Sequence, residues 1–280
     1  MFDVPKLVLA IVPHPDDAEF AAGGLLAKLA QGGRRVLTAI ATDGALGGLE
    51  GGGPALAARR KGEARRAAAI LGAEEPIFLG WPDFGLDGIP KPVIRERLVR
   101  LVRELQPETL VLQDPQEFDP HPDHRALAEA ASDAAFFSML PAIHPEHAEL
   151  GLKPWYVPEK LFYSESCRGV DYFVDIADVI GLKVDSVLAH ESQVEFLIAD
   201  VLAQARMAGI AESQVAAASG AGISGAAGPA ALMAWAVQKR AAEIGAGAGF
   251  AFGEAYRRVR FHPYVEAIAS GPPAASGEDT

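Results

Sequence analysis

Between residues 7 and 113 the chain repeats one unit: a short apolar run, a polar cluster, then a segment of helical period. The runs are LVLAIV (7–12), VLTAIAT (36–42), IFLGW (77–81) and TLVLQ (109–113), each read as a buried strand. Between them, apolar residues fall at helical spacing: Ala22, Leu25, Leu26 and Leu29; Ala64, Ala67, Ala68 and Leu71; Ile94, Leu98, Leu101, Val102 and Leu105. Gly32 and Gly33, Gly72 and Pro107 stop the three helices. Strands that alternate with helices form a mostly parallel sheet covered on both faces. The expected fold is therefore α/β, a Rossmann-like three-layer sandwich. LFYSES (161–166) and YFVDIA (172–177) are expected as later strands, the second a candidate antiparallel edge.

The pattern changes after about Glu195. Residues 196–208 and 232–243 have helical spacing, 216–231 are rich in Ala, Gly and Ser with little to bury, and 269–280 read as a flexible tail. No second core is evident. One domain is expected over 1–280, with a Rossmann-like core (1–193), a helical C-terminal extension (194–268) and the tail.

Charge and composition narrow the partners. A formal charge of −12 argues against non-specific binding to nucleic acid or an anionic membrane, which both require a basic patch. A neutral or cationic small substrate suits it better. No stretch approaches the roughly 20 apolar residues of a membrane span, and no basic leader region opens the chain, so a cytoplasmic location is expected. The single cysteine, Cys167, fits a reducing compartment and is read as a packing residue.

The polar clusters fall in register. His14, Asp16 and Asp17 follow the first strand, Thr42 and Asp43 the second, Trp81 and Asp83 the third, and Asp114 to His124 the fourth. All sit at carboxyl ends, where open α/β sheets gather their ligands. A dinucleotide site would place G-x-G-x-x-G in the first loop, but this chain has carboxylates there, which repel phosphate. A catalytic metal fits better: His14, Asp17 and one His of the second cluster supply three N and O donors and leave a position open. Asp16 then stands beside the site as proton acceptor. The spacing of His121 and His124 lets one bind metal while the other faces the same cavity, with Pro122 at the first helical position. Two His and one carboxylate are also the donor set of non-haem Fe(II) enzymes, so Zn²⁺ and Fe²⁺ both remain.

These residues resemble a known family. HPDD (14–17) and HPDH (121–124) are similar to the paired motifs of the PIG-L/LmbE-type zinc-dependent N-deacetylases, which remove acetyl groups from N-acetylglucosamine derivatives. Matches continue through TDG (42–44), Arg60 and Glu63, LGWPD (79–83) and AHESQ (189–193), and EAYRR (254–258) looks like a C-terminal family segment. The resemblance implies that His14, Asp17 and His124 hold Zn²⁺ and that Asp16 is the general base. It implies that His121, tuned by Asp123, supports the oxyanion or protonates the amine, and that Arg60, Asp83 and Asp43 meet the sugar. Its partner would be a small N-acetylated amino sugar conjugate, and similar enzymes assemble as homo-oligomers. The overall register looks most like the deacetylases of the bacillithiol pathway. Two positions depart from the pattern: Ala45 replaces an acidic residue, and Asp119 replaces a Tyr that assists the oxyanion in some members. Those departures keep open a sugar-binding protein with weakened catalysis, beside the Fe(II) enzyme.

Other polar residues have plainer readings. Arg60 and Glu63 also fit a charge pair on a helix face, and Asp83 a turn cap. His144 and His147 fit a polar surface loop, His190 a packed or hydrogen-bonded role, and His262 surface packing.

Overall fold

The structure is a computed structural model that describes residues 7–49, 51–220, 228–262, 264, 265 and 268. In chain order the elements are β1 (Leu7–Val12), α1 (Asp17–Gln31), β2 (Arg35–Thr42), α2 (Pro54–Leu71), β3 (Ile77–Trp81), α3 (Lys91–Leu105), β4 (Thr109–Gln113) and α4 (Pro122–Phe137). They are followed by β5 (Glu159–Tyr163), β6 (Tyr172–Asp175), α5 (Ile180–Leu188), α6 (Glu191–Met207), α7 (Glu212–Ser219), α8 (Gly228–Ala246) and β7 (Gly253–Val259).

One seven-stranded sheet runs β3-β2-β1-β4-β5-β7-β6. The pairs from β3 to β5 are parallel, whereas β7 runs antiparallel to both β5 and β6. The chain winds outward from β1 to β3, then returns to the other side of β1 as β4. That reversal is the switch point where α/β sheets open a crevice, and the two His-Pro-Asp segments leave β1 and β4 on either side of it.

Both faces of the sheet are covered, as the continuous apolar runs require. Leu7, Leu9 and Ile11 pack with α3 and α4 residues such as Leu98, Val102 and Ala130. Val8, Ala10 and Val12 pack with Leu25, Leu26 and Ala64 of α1 and α2. A third cluster joins α5, α6 and α8 through Val187, Ile198, Leu232 and Val237.

One expectation needs correction. The segment 194–268 is not only helical, because its EAYRR stretch becomes β7 and fills the sheet between β5 and β6. The division at residue 193 therefore cuts through the sheet. β6 is the edge strand and pairs antiparallel with β7, as expected of YFVDIA. The expected tail, 269–280, lies outside the described residues. Among the described residues, no helix is long and apolar enough to cross a membrane.

Candidate metal centre

The first loop is set by an unusual backbone. Asp16 precedes α1 with φ 137°, a conformation that L residues rarely adopt. Arg60, buried on α2, holds it there: its guanidinium donates to the Pro15 carbonyl at 2.8 Å, the Gly44 carbonyl at 3.0 Å and Asp16 Oδ1 at 3.2 Å. Gly44 must lack a side chain for this, since a Cβ would lie 2.7 Å from Arg60 Nη1 and its φ is +63°. Asp17 then opens α1, and its Oδ2 accepts the backbone N–H of His14 at 2.7 Å.

Three donors converge from the two motifs. His14 Nδ1 lies 3.1 Å from His124 Nε2 and 3.4 Å from Asp17 Oδ2, and His124 Nε2 lies 3.6 Å from the same oxygen. Donors placed about 2.0–2.2 Å from a tetrahedral metal are about 3.4 Å apart, so the triangle fits one ion. The remaining nitrogens face carboxylates. His14 Nε2 is 3.1 Å from Asp83 Oδ1 and 3.4 Å from Asp123 Oδ2, while His124 Nδ1 is 3.1 Å from Asp119 Oδ2. Carboxylates in that position fix the tautomer and orientation of metal-binding imidazoles.

A wider grouping of His14, Asp83, His121 and Asp123 also brings donor atoms within 4.8 Å of one another. Its carboxylates are committed to the backbone: Asp123 accepts from Phe84 N at 2.7 Å and Leu86 N at 2.8 Å, and Asp83 from Leu46 N at 2.9 Å. The group of His14, His121 and His124 also brings donor atoms within 4.8 Å of one another, and the triangle of His14, Asp17 and His124 is a further candidate donor set.

The local field favours a cation. Burial opposes a charge on His14, but Asp123, Asp17 and Asp83 outweigh it and the imidazole pKa is pushed up to about 12. Burial would raise Asp17, yet His124 and His14 hold it well below the usual carboxylate range. Asp16 is the exception among the carboxylates. Burial lifts it to about 6, opposed by Arg60. His121 is lowered, first by burial and then by the charges on His14 and His124. Its Nδ1 accepts the backbone N–H of Asp123 at 3.2 Å, so neutral His121 carries its proton on Nε2.

Several placements differ from expectation. The Asp123 carboxylate faces His14 and the backbone of 84–86; it acts on His121 through its charge, which opposes the lowering, and through its N–H, which donates to His121 Nδ1. Arg60, Asp83 and Asp43 were expected on the sugar. Arg60 is spent on the loops, Asp83 on His14 and Leu46 N, and Asp43 Oδ1 accepts from Ala45 N at 3.1 Å and Asp83 N at 3.2 Å. Asp119, noted in the sequence only as a departure, lies 3.1 Å from His124 Nδ1 through its Oδ2. It also accepts from Gln113 Nε2 at 2.8 Å and from the backbone N–H of His121 at 2.7 Å. The available signal was an acid inside the DPHPDH segment itself.

A family model described as GlcNAc-PI de-N-acetylase (PIG-L) matches residues 9–135. Diacetylchitobiose deacetylase of Thermococcus kodakarensis is 36% identical over 196 residues, covering 69% of this chain and 72% of that protein. The chain belongs to the PIG-L family. Probable N-acetyl-alpha-D-glucosaminyl L-malate deacetylase 2 of Bacillus anthracis is 30% identical over 175 residues, covering 55% of this chain and 76% of that protein. The solved N,N'-diacetylchitobiose deacetylase of Pyrococcus horikoshii superposes with a TM-score of 0.71 at 26% identity, covering 95% of this chain and 92% of the other.

In this PIG-L chain the remaining motif residues are structural. Glu63, fully buried, accepts from Ser192 N and Oγ at 3.0 and 2.6 Å and from Arg59 Nε at 3.0 Å, which anchors the start of α6 to α2. Gln193 Nε2 donates to the Gly47 carbonyl at 2.8 Å and ties the loop after β2 to the same helix. His190 is buried with its Nε2 3.3 Å from Glu19. His147 is not in a surface loop as expected; it is buried between Arg103 Nη1 at 3.0 Å and Glu96 Oε1 at 2.8 Å.

Proposed function

We propose that the protein is a metal-dependent hydrolase that removes the N-acetyl group from an N-acetylglucosamine-containing small molecule. Acetate and a free amine leave. The observation that carries this reading is the 3.1–3.6 Å triangle of His14, Asp17 and His124, with Asp16 fixed beside it. Zn²⁺ suits two imidazoles and one carboxylate, and Fe²⁺ suits the same set. When bound, the ion supplies Lewis acidity that polarises the amide carbonyl and lowers the pKa of the attacking water.

The chain's own groups do the rest. Asp16, raised by burial, accepts the water proton and returns it to the leaving nitrogen. Arg60 holds that carboxylate in place through a 3.2 Å hydrogen bond. His121 donates Nε2–H to the oxygen on which charge develops; its lowered pKa keeps it neutral, which favours this role over that of acid. On the sugar side, Arg60, Asp83 and Asp43 act by shaping the backbone of 43–46 rather than by free side chains. Phe84, exposed and edge-on to His121 at 5.4 Å, offers a ring for a sugar face. The named relatives, which act on diacetylchitobiose and on an N-acetylglucosaminyl malate, support an acetamido sugar as substrate. Assembly as a homo-oligomer belongs to this reading, supported by exposed Val201, Met207 and Ile210 around the end of α6.

Acetate release by the zinc-loaded protein across N-acetylglucosamine conjugates tests the proposal, with Asp16→Ala alongside. The variant should keep its metal and lose about 10²-fold or more in turnover. Metal bound but no release from any conjugate would leave a sugar-binding protein, and a requirement for O₂ would point to an Fe(II) oxygenase.

A further inference from the structure

A cavity of about 450 Å³ opens beside the metal donors, with Asp17 and His124 in its wall. That volume is within the range of about 300–1,000 Å³ typical of ligand pockets, and far more than one methyl group needs. Its other walls come from α1, β5, β7 and α8. Phe20, Met233, Ala236, Val237 and Ile244 make much of the lining apolar. None of residues 43–49 takes part. Those follow β2, whereas the cavity lies under β5 and β7, on the opposite side of β1 in the strand order. The cavity therefore lies on the β5/β7 side of His14, Asp17 and His124, away from the loop after β2.

Several of the cavity's charges are paired within the protein, and Glu117, Asp119 and Glu165 also line it. Lys183 Nζ is 2.6 Å from Glu254 Oε1, and the same carboxylate accepts from Gly24 N, Leu25 N and Tyr256 Oη. Arg240 donates to the Glu165 carbonyl. Residues whose side chains hold buried, unpartnered polar atoms, Gln113, Tyr163 and Ser164, line the end of the cavity that holds Asp17 and His124. A polar rim at the metal and an apolar interior beyond it match an amide carbonyl followed by a hydrocarbon chain.

We propose that the cavity is an acyl pocket and that the preferred substrates carry an N-acyl chain longer than acetyl on the amino sugar. This rests on the deacylase reading above. The reaction is unchanged in balance: water's oxygen bonds to the acyl carbon, the C–N bond breaks, and the nitrogen gains a proton, giving a carboxylic acid and the free amine. Ala236 and Met233 on α8 then set chain length.

The test is kcat/KM of the zinc-loaded protein for N-acetyl-, N-butanoyl-, N-hexanoyl- and N-octanoyl-glucosamine, with octyl N-acetylglucosaminide as a second arm. Burial of each methylene is worth up to about fourfold, so hexanoyl should exceed acetyl by about tenfold or more. Ala236→Phe should cut the hexanoyl-to-acetyl ratio by about tenfold or more, and Met233→Ala should move the optimum to a longer chain. Circular dichroism and thermal melts confirm that both variants fold. Rates that fall steadily from acetyl would overturn the acyl pocket and leave the deacetylase. A gain only with the octyl glycoside, sensitive to Ala236→Phe, would assign the cavity to the aglycone instead. No release from any amide would remove the deacylase reading and the pocket's role together.

Discussion

Asp119→Asn removes one oxygen from a buried junction where three donors meet two acceptors. Asp119 Oδ1 accepts the His121 N–H at 2.7 Å, and Oδ2 faces both Gln113 Nε2 at 2.8 Å and His124 Nδ1 at 3.1 Å. An asparagine has a single oxygen. Whichever way its amide turns, an NH₂ group meets a donor, and either the start of α4 or the aim of His124 is lost. A hydrogen bond to a charged partner is worth about 1.5–3 kcal/mol, which corresponds to roughly 10- to 150-fold in an equilibrium constant. Losses of about 10- to 100-fold in metal affinity are typical when such an orienting carboxylate is removed. Metal affinity, measured by competition with a chromophoric chelator, should therefore fall by about tenfold or more, with amide hydrolysis falling in step when zinc is limiting. Affinity within about twofold of the parent would show that Asp119 does not orient His124, and the role assigned to it would be wrong.

His121→Ala separates the triangle from the two groupings that contain His121. His121 stands outside the favoured triangle, so zinc content should be retained while kcat falls by about 10²–10³-fold, the usual cost of one oxyanion donor. Loss of zinc in proportion to activity would put His121 among the ligands. Lys160 gives a pH test away from the site. It is buried, donates to the Val157 carbonyl at 2.7 Å and faces the rings of Phe136 and Tyr156 at 5.1 and 4.7 Å, and burial lowers its pKa from 10.5 to about 8. The folded state thus binds this proton less tightly than the unfolded chain. The penalty is complete below pH 8, shrinks between 8 and 10.5, and is gone above. Lys160→Met, followed by urea unfolding at several pH values, should show its largest relative gain in stability below pH 8 and lose that gain by pH 10.5. A difference independent of pH would refute the assignment.

Much of this molecule is written locally. The apolar runs 7–12, 77–81 and 109–113 coincide with β1, β3 and β4, and Pro122 begins α4. Strand and helix periods depend on neighbours a few residues away, so they survive in the linear sequence. The register of His14, Asp17 and His124 at strand ends follows from the same periodicity, and so does their convergence across the switch point. Their donor chemistry is a property of residue type.

What the fold alone decided is how the groups around those donors are used. Arg60 and Asp83 could serve a sugar or a loop; only packing turns Arg60 toward Pro15 and Gly44, 45 and 16 residues away, and Asp83 toward His14. Asp119 reads as a missing tyrosine until His124 is seen against it. EAYRR, with one acid and two arginines, lacks the apolar run that announces a strand, and becomes β7 by pairing between β5 and β6. The cavity beside Asp17 and His124 exists because α8 and β7 pack over α1. A partner contributed from more than two hundred residues away leaves no period in the sequence, since it is selected by shape and charge once the sheet has formed.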